Sequence, residues 1–228
     1  MDVKLTFEKC KKSKNKIMSQ SESFELLDKY KIPIAEHKTT DNIEDAIEFA
    51  NKVGYPVVMK AVSPDVIHKT DVGGVILDVT NENQVRVAYS RLIKNMKKIN
   101  AKMEGVFIQK MIPRGTEVMI GGKKDATFGP TIAFGLGGIF VEVFNDISFR
   151  VVPINKNDAK QMIEEIKGYK ILQGARGKQK VNIDDLIKVL TNVSKLLNDY
   201  PEIKELDLNP VIVTSKSVNA VDARIICE

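Results

Sequence analysis

Two spacings of apolar residues run along this chain, one helical and one strand-like, with turn residues between them. Behind Ser19-Gln20-Ser21-Glu22, which has the form of a capping box, Phe24, Leu26, Leu27 and Tyr30 mark a first helix. Pro33 disfavours its continuation, and a short strand is expected from Ile34 to His37. Asp41 to Asn51 reads as a second helix. Its apolar face is Ile43, Ala46, Ile47 and Ala50, and Gly54 is its stop. Pro56 to Met59 and Val75 to Val79 are apolar runs of strand length. A long helix from Asn83 to Asn100 follows, striped by Val85, Ala88, Leu92 and Met96, and then a strand from Gly105 to Met111. From Thr116 the pattern turns β-rich through TEVMIGG, PTIAFGLGGIFVEVF and ISFRVVPI. Asn155 to Lys167 and Ile183 to Leu197 are helical, with a loop expected from Gly168 to Lys180. Glu205 to Val213 and Val218 to Ala223 are the last strands.

This order implies an α+β protein of two lobes. A Lys-rich tail, residues 1–18, precedes a small mixed lobe, 19–111, and a larger β-rich lobe, 112–228, with a hinge near Gln109 to Pro113. Hydrophobic content of 43% and charged content of 29% over 228 residues are those of an ordinary globular protein. No apolar segment approaches the ~18–20 residues that span a bilayer, and no signal-peptide pattern opens the sequence. A cytoplasmic protein without a membrane role is therefore expected. Lys9, Lys11, Lys12, Lys14 and Lys16 supply much of the net charge of +5. No aromatic interleaving or nucleic-acid fold signature accompanies them, so a solvated, mobile tail is expected and no nucleic-acid partner. Cys10 and Cys227 lie near opposite ends with neither a metal spacing nor a disulfide framework, and a reducing compartment is the default.

The chemistry concentrates in YPVVMKAVSPDVIHKTDVGGVILDV, Tyr55 to Val79. Lys60 ends the first apolar run, and its ammonium suits a phosphate as a point charge. His68 stands in the polar loop between the two runs. A neutral imidazole is a nucleophile near pH 7, and its phosphorylated form passes the group on readily. A surface loop histidine and a strand-ending lysine are the alternatives on the residues alone. Glu205, Asp207 and Asn209 alternate with Leu206 and Leu208, so they share one strand face, and Asp222 lies on the next strand. Two carboxylates and an amide oxygen suit Mg²⁺; a polar outer sheet face explains them equally well. Gly135-Leu136-Gly137-Gly138 lets backbone N–H groups approach an anion, although Phe140 stands where a dinucleotide fingerprint needs its third glycine. Glu117 and Gln109 to Ile112 border these runs without a specific signal of their own. His37 reads as structural or exposed.

Five segments in order carry a family resemblance: GYPVVMKAVSPDVIHKTDVGGV, GTEVMIGGKKDATFGPTIAFGLGGIFVEV, ISFRVVPI, ELDLNPVIV and AVDARI. From about Ser21 to Ile225 the chain resembles the β subunit, the ATP-grasp part, of ADP-forming acetate–CoA ligases (acetyl-CoA synthetases), relatives of the succinyl-CoA synthetases. Ala126 in place of a usual proline and Lys31 in place of a usual glycine are small departures. The resemblance implies an ATP-grasp fold, two α/β lobes with a nucleotide cleft between them. It implies an acid–thiol ligase that reversibly converts acyl-CoA, ADP and phosphate to carboxylate, CoA and ATP, with Mg²⁺ as cofactor. A CoA-binding α subunit, in an α2β2 hetero-oligomer, forms the acyl phosphate and takes the phosphoryl group first; His68 then carries it to ADP. The resemblance further implies Lys60 as phosphate ligand, and Gln109, Lys110, Met111 and Ile112 as the adenine-contacting segment with Glu117 near the ribose. Asn209 and Asp222 become the Mg²⁺ ligands, and Asp207 the carboxylate that orients the histidine. The alternative enzyme is an ATP-grasp carboxylate ligase without a phosphohistidine. A basic nucleic-acid module built on the tail and the Lys123-Lys124 turn ranks far below both.

Overall fold

The fold is given by a computed structural model that describes residues 2–13, 15–66, 69–138, 146–175 and 179–228. Contacts divide the chain into two units, Ala35–Ile112, and Met1–Ile34 together with Pro113–Glu228. This differs from the division expected at residue 19. The first helical segments belong to the C-terminal unit, where both pack on its last strand.

Unit Ala35–Ile112 holds β1 (His37–Thr40), α1 (Ile43–Val53), β2 (Val57–Val62), β3 (Val75–Val79), α2 (Glu82–Lys98) and β4 (Gly105–Lys110). Its sheet runs β1-β4-β2-β3, antiparallel throughout. Asn42 and Asn81 cap the two helices through their side chains, supplying acceptors that the first-turn N–H groups lack within the helix. One face of the sheet buries Val57, Met59, Ala61, Val106 and Ile108 against Ala46, Ile47 and Ala50 of α1 and Val85, Ala88, Leu92 and Met96 of α2. Side chains alternate across a strand, so Val58, Lys60, Phe107 and Gln109 belong to the opposite face. The first strand falls at His37–Thr40, later than the expected Ile34 to His37: Ile34 bridges Ala220 instead.

The other unit opens with α3 (Val3–Lys12) and α4 (Gln20–Lys29). It continues with β5 (Thr116–Asp125), β6 (Gly129–Leu136), β7 (Ile147–Val151), α5 (Lys156–Glu165), α6 (Tyr169–Leu172), α7 (Ile183–Asp199), β8 (Ile203–Val213), β9 (Val218–Ala220) and β10 (Arg224–Cys227). The described strands run β10-β8-β5-β6-β7, with β9 also on β8. Val118, Ile120, Ile132, Phe134, Leu206 and Leu208 are buried on the face that α5 and α7 cover. A Cβ on Gly122 would lie 2.7 Å from the Leu197 methyls of α7, so the helix packs closely on the strand there. The other face, with Met119, Ala133, Phe149, Glu205 and Asp207, lines an open groove of about 720 Å³. The loop expected from Gly168 to Lys180 contains the short helix α6, and its residues 176–178 lie outside the described set, as do 139–144 of the β-rich stretch PTIAFGLGGIFVEVF.

The N-terminal segment is not the solvated tail that its lysines suggested. Val3, Thr6, Phe7 and Cys10 are buried on one side of α3, and Cys10 is disulfide-bonded to Cys227 of β10. Phe7 also packs on Tyr200, with ring centroids 5.1 Å apart. Lys9, Lys11 and Lys12 occupy the helix's last turn, where cations are favoured.

Asp146 closes this unit's loop structure. It is 9% exposed, and its carboxylate accepts the N–H groups of Lys167 and Gly168, both at 2.7 Å. Asp146→Ala should cost about 2–4 kcal/mol, because two backbone donors lose their acceptor in a water-poor site. A urea titration reads this as a lower midpoint; an unchanged midpoint contradicts it.

Candidate functional site

In unit Ala35–Ile112, Lys60 on β2 pairs with Phe107 on β4 and Val75 on β3. The lysine is 7% exposed, with its Nζ 5.8 Å above the Phe107 ring. At that range the ring face attracts an ammonium. His37 stacks on the same ring, centroids 5.1 Å apart at 17°, and its Nδ1 lies 3.1 Å from the Ala35 carbonyl. A buried cation held by an aromatic face is suited to meeting an anion on that face of the sheet. Gln109, on the same face and 2% exposed, pairs with Val58 on one side and His37 on the other. Lys110 has a different position: its Nζ donates to the carbonyls of Gly54 and Tyr55 at 2.7 and 3.1 Å. Met111 donates its N–H to Pro56 O, and Met111 and Ile112 are half-buried. The lysine side chain thus secures the strand end to the preceding turn.

His68 lies outside the described residues, with Ile67. Both shoulders of its loop are described and anchored. Asp65 accepts the Lys102 N–H at 2.9 Å, and Gly73 gives its carbonyl to the Asn95 side chain at 2.8 Å. Gly73 has φ +65°, and a Cβ on Gly74 would stand 2.9 Å from Lys69 O, so the returning turn needs the glycine pair.

In the other unit, Asp207 pairs with Arg224 and Val211 with Ala220, a register that sets Asn209 opposite Asp222, which lies on the segment between β9 and β10 and not on a strand as expected. Both are exposed. Asp207 also pairs with Gly121 of β5. Burial pushes its carboxyl above the usual carboxylate range, Arg224 opposes that, and Glu205 and Asp222 add to it. Arg224 donates to Glu205 at 2.7 Å. Glu117 is exposed on β5, and its carbonyl accepts the Gly137 N–H at 2.8 Å. A Cβ on Gly137 would sit 3.1 Å from that of Glu117, so the glycine run lies tight against this carboxylate-bearing strand.

Among the described residues, no group of three His, Cys, Asp or Glu side chains is placed to hold a metal. The facing Asn209 amide and Asp222 carboxylate supply two hard oxygen donors, which fits Mg²⁺, an ion that keeps waters and takes phosphate oxygens. One residue of this site carried no signal in its local sequence. Gln20, at the start of α4, donates from Nε2 to Asp222 Oδ1 at 2.7 Å across 202 positions of chain.

A family model described as an ATP-grasp domain matches residues 9–227. The β subunit of acetate–CoA ligase (ADP-forming) I from Pyrococcus furiosus is 47% identical over 217 residues, covering 94% of both chains. The single-chain acetate–CoA ligase (ADP-forming) I of Archaeoglobus fulgidus is 41% identical over 99% of this chain, which matches 34% of that protein's length. Among solved structures, acetyl-coenzyme A synthetase 1 of Ca. Korarchaeum cryptofilum superposes with a TM-score of 0.94 at 42% identity. The match covers 100% of this chain and 99% of that one, in a complex with coenzyme A and Ca-AMPCP. A second structure of that protein, with coenzyme A and Mg-AMPPCP, has its phosphohistidine segment pointing towards the nucleotide binding site. Its TM-score is 0.88 at 40% identity, over 99% of each chain.

Proposed function

Since this chain belongs to the ATP-grasp family, we propose that it is the nucleotide-binding β subunit of an ADP-forming acetate–CoA ligase and acts with a CoA-binding α subunit. The observation that carries this reading is the 47% identity to such a β subunit along nearly the whole of both chains. The α2β2 assembly and a cytoplasmic location belong to the same proposal. Among the described residues no helix is long and apolar enough to cross a membrane. The Cys10–Cys227 pair does not oppose that location, because both residues are buried, and restricted access slows attack by soluble thiols.

In the ATP-forming direction a P–N bond forms at one ring nitrogen of His68 as the phosphoryl donor departs. A terminal oxygen of ADP then attacks phosphorus, the P–N bond breaks, and imidazole leaves neutral. A carboxylate at the other ring nitrogen, the role proposed for Asp207, would fix the tautomer that can attack. Lys60 brings a desolvated positive charge to the phosphate oxygens. Gln109 to Ile112 contact the adenine and Glu117 the ribose. Asn209 and Asp222 would hold Mg²⁺, which when bound would neutralise charge on the phosphates. Most of the rate in such a transfer comes from positioning and charge compensation, and these side chains supply both.

Asp222→Asn should weaken Mg-ADP binding to the full chain roughly tenfold or more while shifting the melting temperature little, since the side chain is exposed. Calorimetric titration with Mg-ADP checks this. Unchanged affinity rejects the metal role of Asp222.

A further inference from the structure

Gln20 is 9% exposed at the first position of α4. A complete capping box fixes that helix end: Ser19 Oγ accepts the Glu22 N–H, and the Glu22 carboxylate accepts from Ser19 N–H and O–H. With its backbone held there, the glutamine side chain reaches the segment between β9 and β10. Its Nε2 donates to Asp222 Oδ1 at 2.7 Å, and the same oxygen accepts the Ala223 N–H at 3.1 Å. Two donors on one oxygen set the rotation of the carboxylate. The amide's other end, Oε1, is buried without a hydrogen-bond partner. A buried amide oxygen with no donor is costly, and it lies on the side chain that orients Asp222. Among the described residues this pairs a satisfied donor on a candidate metal ligand with an unsatisfied acceptor one amide away.

We propose that Gln20 is a positioning residue for the divalent-cation site. Nε2 aims the Asp222 carboxylate that would hold the ion. This rests on the reading of Asp222 as a Mg²⁺ ligand. Partners that orient a metal's ligands carry a measurable share of its affinity.

The test titrates the full chain with ADP, first with Mg²⁺ and then in chelator without it. Gln20→Leu is expected to weaken Mg-ADP binding about tenfold and to leave metal-free ADP binding unchanged. A role confined to holding α4 in place would move both affinities or neither. Equal loss with and without Mg²⁺, or no loss in Mg²⁺, overturns the inference. Gln20→Met, unbranched like glutamine, decides the matter by the same two titrations should leucine disturb α4. Asp222→Asn run in parallel separates the two levels. If it weakens Mg-ADP and the Gln20 variants do not, the inference alone fails. If it has no effect, the metal reading fails and the inference with it.

Discussion

His68→Ala should abolish ATP formation from acyl-CoA, ADP and phosphate in the assembled enzyme and leave acyl-phosphate formation by the CoA-binding subunit intact. A group that carries the transferred phosphoryl covalently has no substitute when it is removed, and losses on the order of 10⁴ or more are usual for such positions. The two shoulders of the loop are held by Asp65 and Asn95 through hydrogen bonds that do not involve His68. The substitution therefore leaves the frame of the loop in place. An ATP-forming assay from acetyl-CoA, run beside a hydroxamate assay for acyl phosphate, reads both halves of the prediction. Substantial ATP formation by the variant removes His68 from the mechanism, and loss of acyl phosphate as well points to failed assembly.

Replacing both cysteines with alanine should lower unfolding stability by about 5 kcal/mol, the largest effect expected on the fold. The Cys10–Cys227 bond closes a loop of 217 positions, nearly the whole chain. In the chain-entropy account the stabilisation grows with the logarithm of the loop closed. The bond also pins α3, with its buried Val3 and Phe7, to β10. Denaturant titration with and without reductant checks this. Reductant should lower the midpoint of the native chain and leave that of the double variant unmoved. A native midpoint indifferent to reductant contradicts it.

The sequence made local periodicity legible and long-range contacts opaque. The alternation of Glu205, Asp207 and Asn209 with Leu206 and Leu208 was readable because strand side chains have period two, and Leu206 and Leu208 are 1% and 0% exposed. The capping box at Ser19 to Glu22 was readable for the same local reason. The N-terminal segment was misread because its lysines outweighed a short helical stripe of Val3, Thr6, Phe7 and Cys10, and its apolar partner strand lies at the far end of the chain. The disulfide was illegible on the same ground: two cysteines 217 positions apart give no spacing to interpret. Gln20 looked like a helix-start residue because Asp222 is 202 positions away. Lys110 fell within the proposed adenine segment, yet its amine is taken up by the carbonyls of Gly54 and Tyr55, a contact set by the register of β4 on β2. The family itself was legible, because the quoted motifs keep their order, and the ATP-grasp match spans residues 9–227.

The central claim is that phosphorus rides on one imidazole of this chain. Incubating the assembled enzyme with Mg-ATP labelled in its γ-phosphate, then mapping the label after alkaline and acid treatment, tests it most directly. A base-stable, acid-labile phosphoryl group is expected on the peptide containing His68, lost on adding ADP and absent from His68→Ala. An enzyme that turns over without labelling this chain, or a label that persists in His68→Ala, contradicts it.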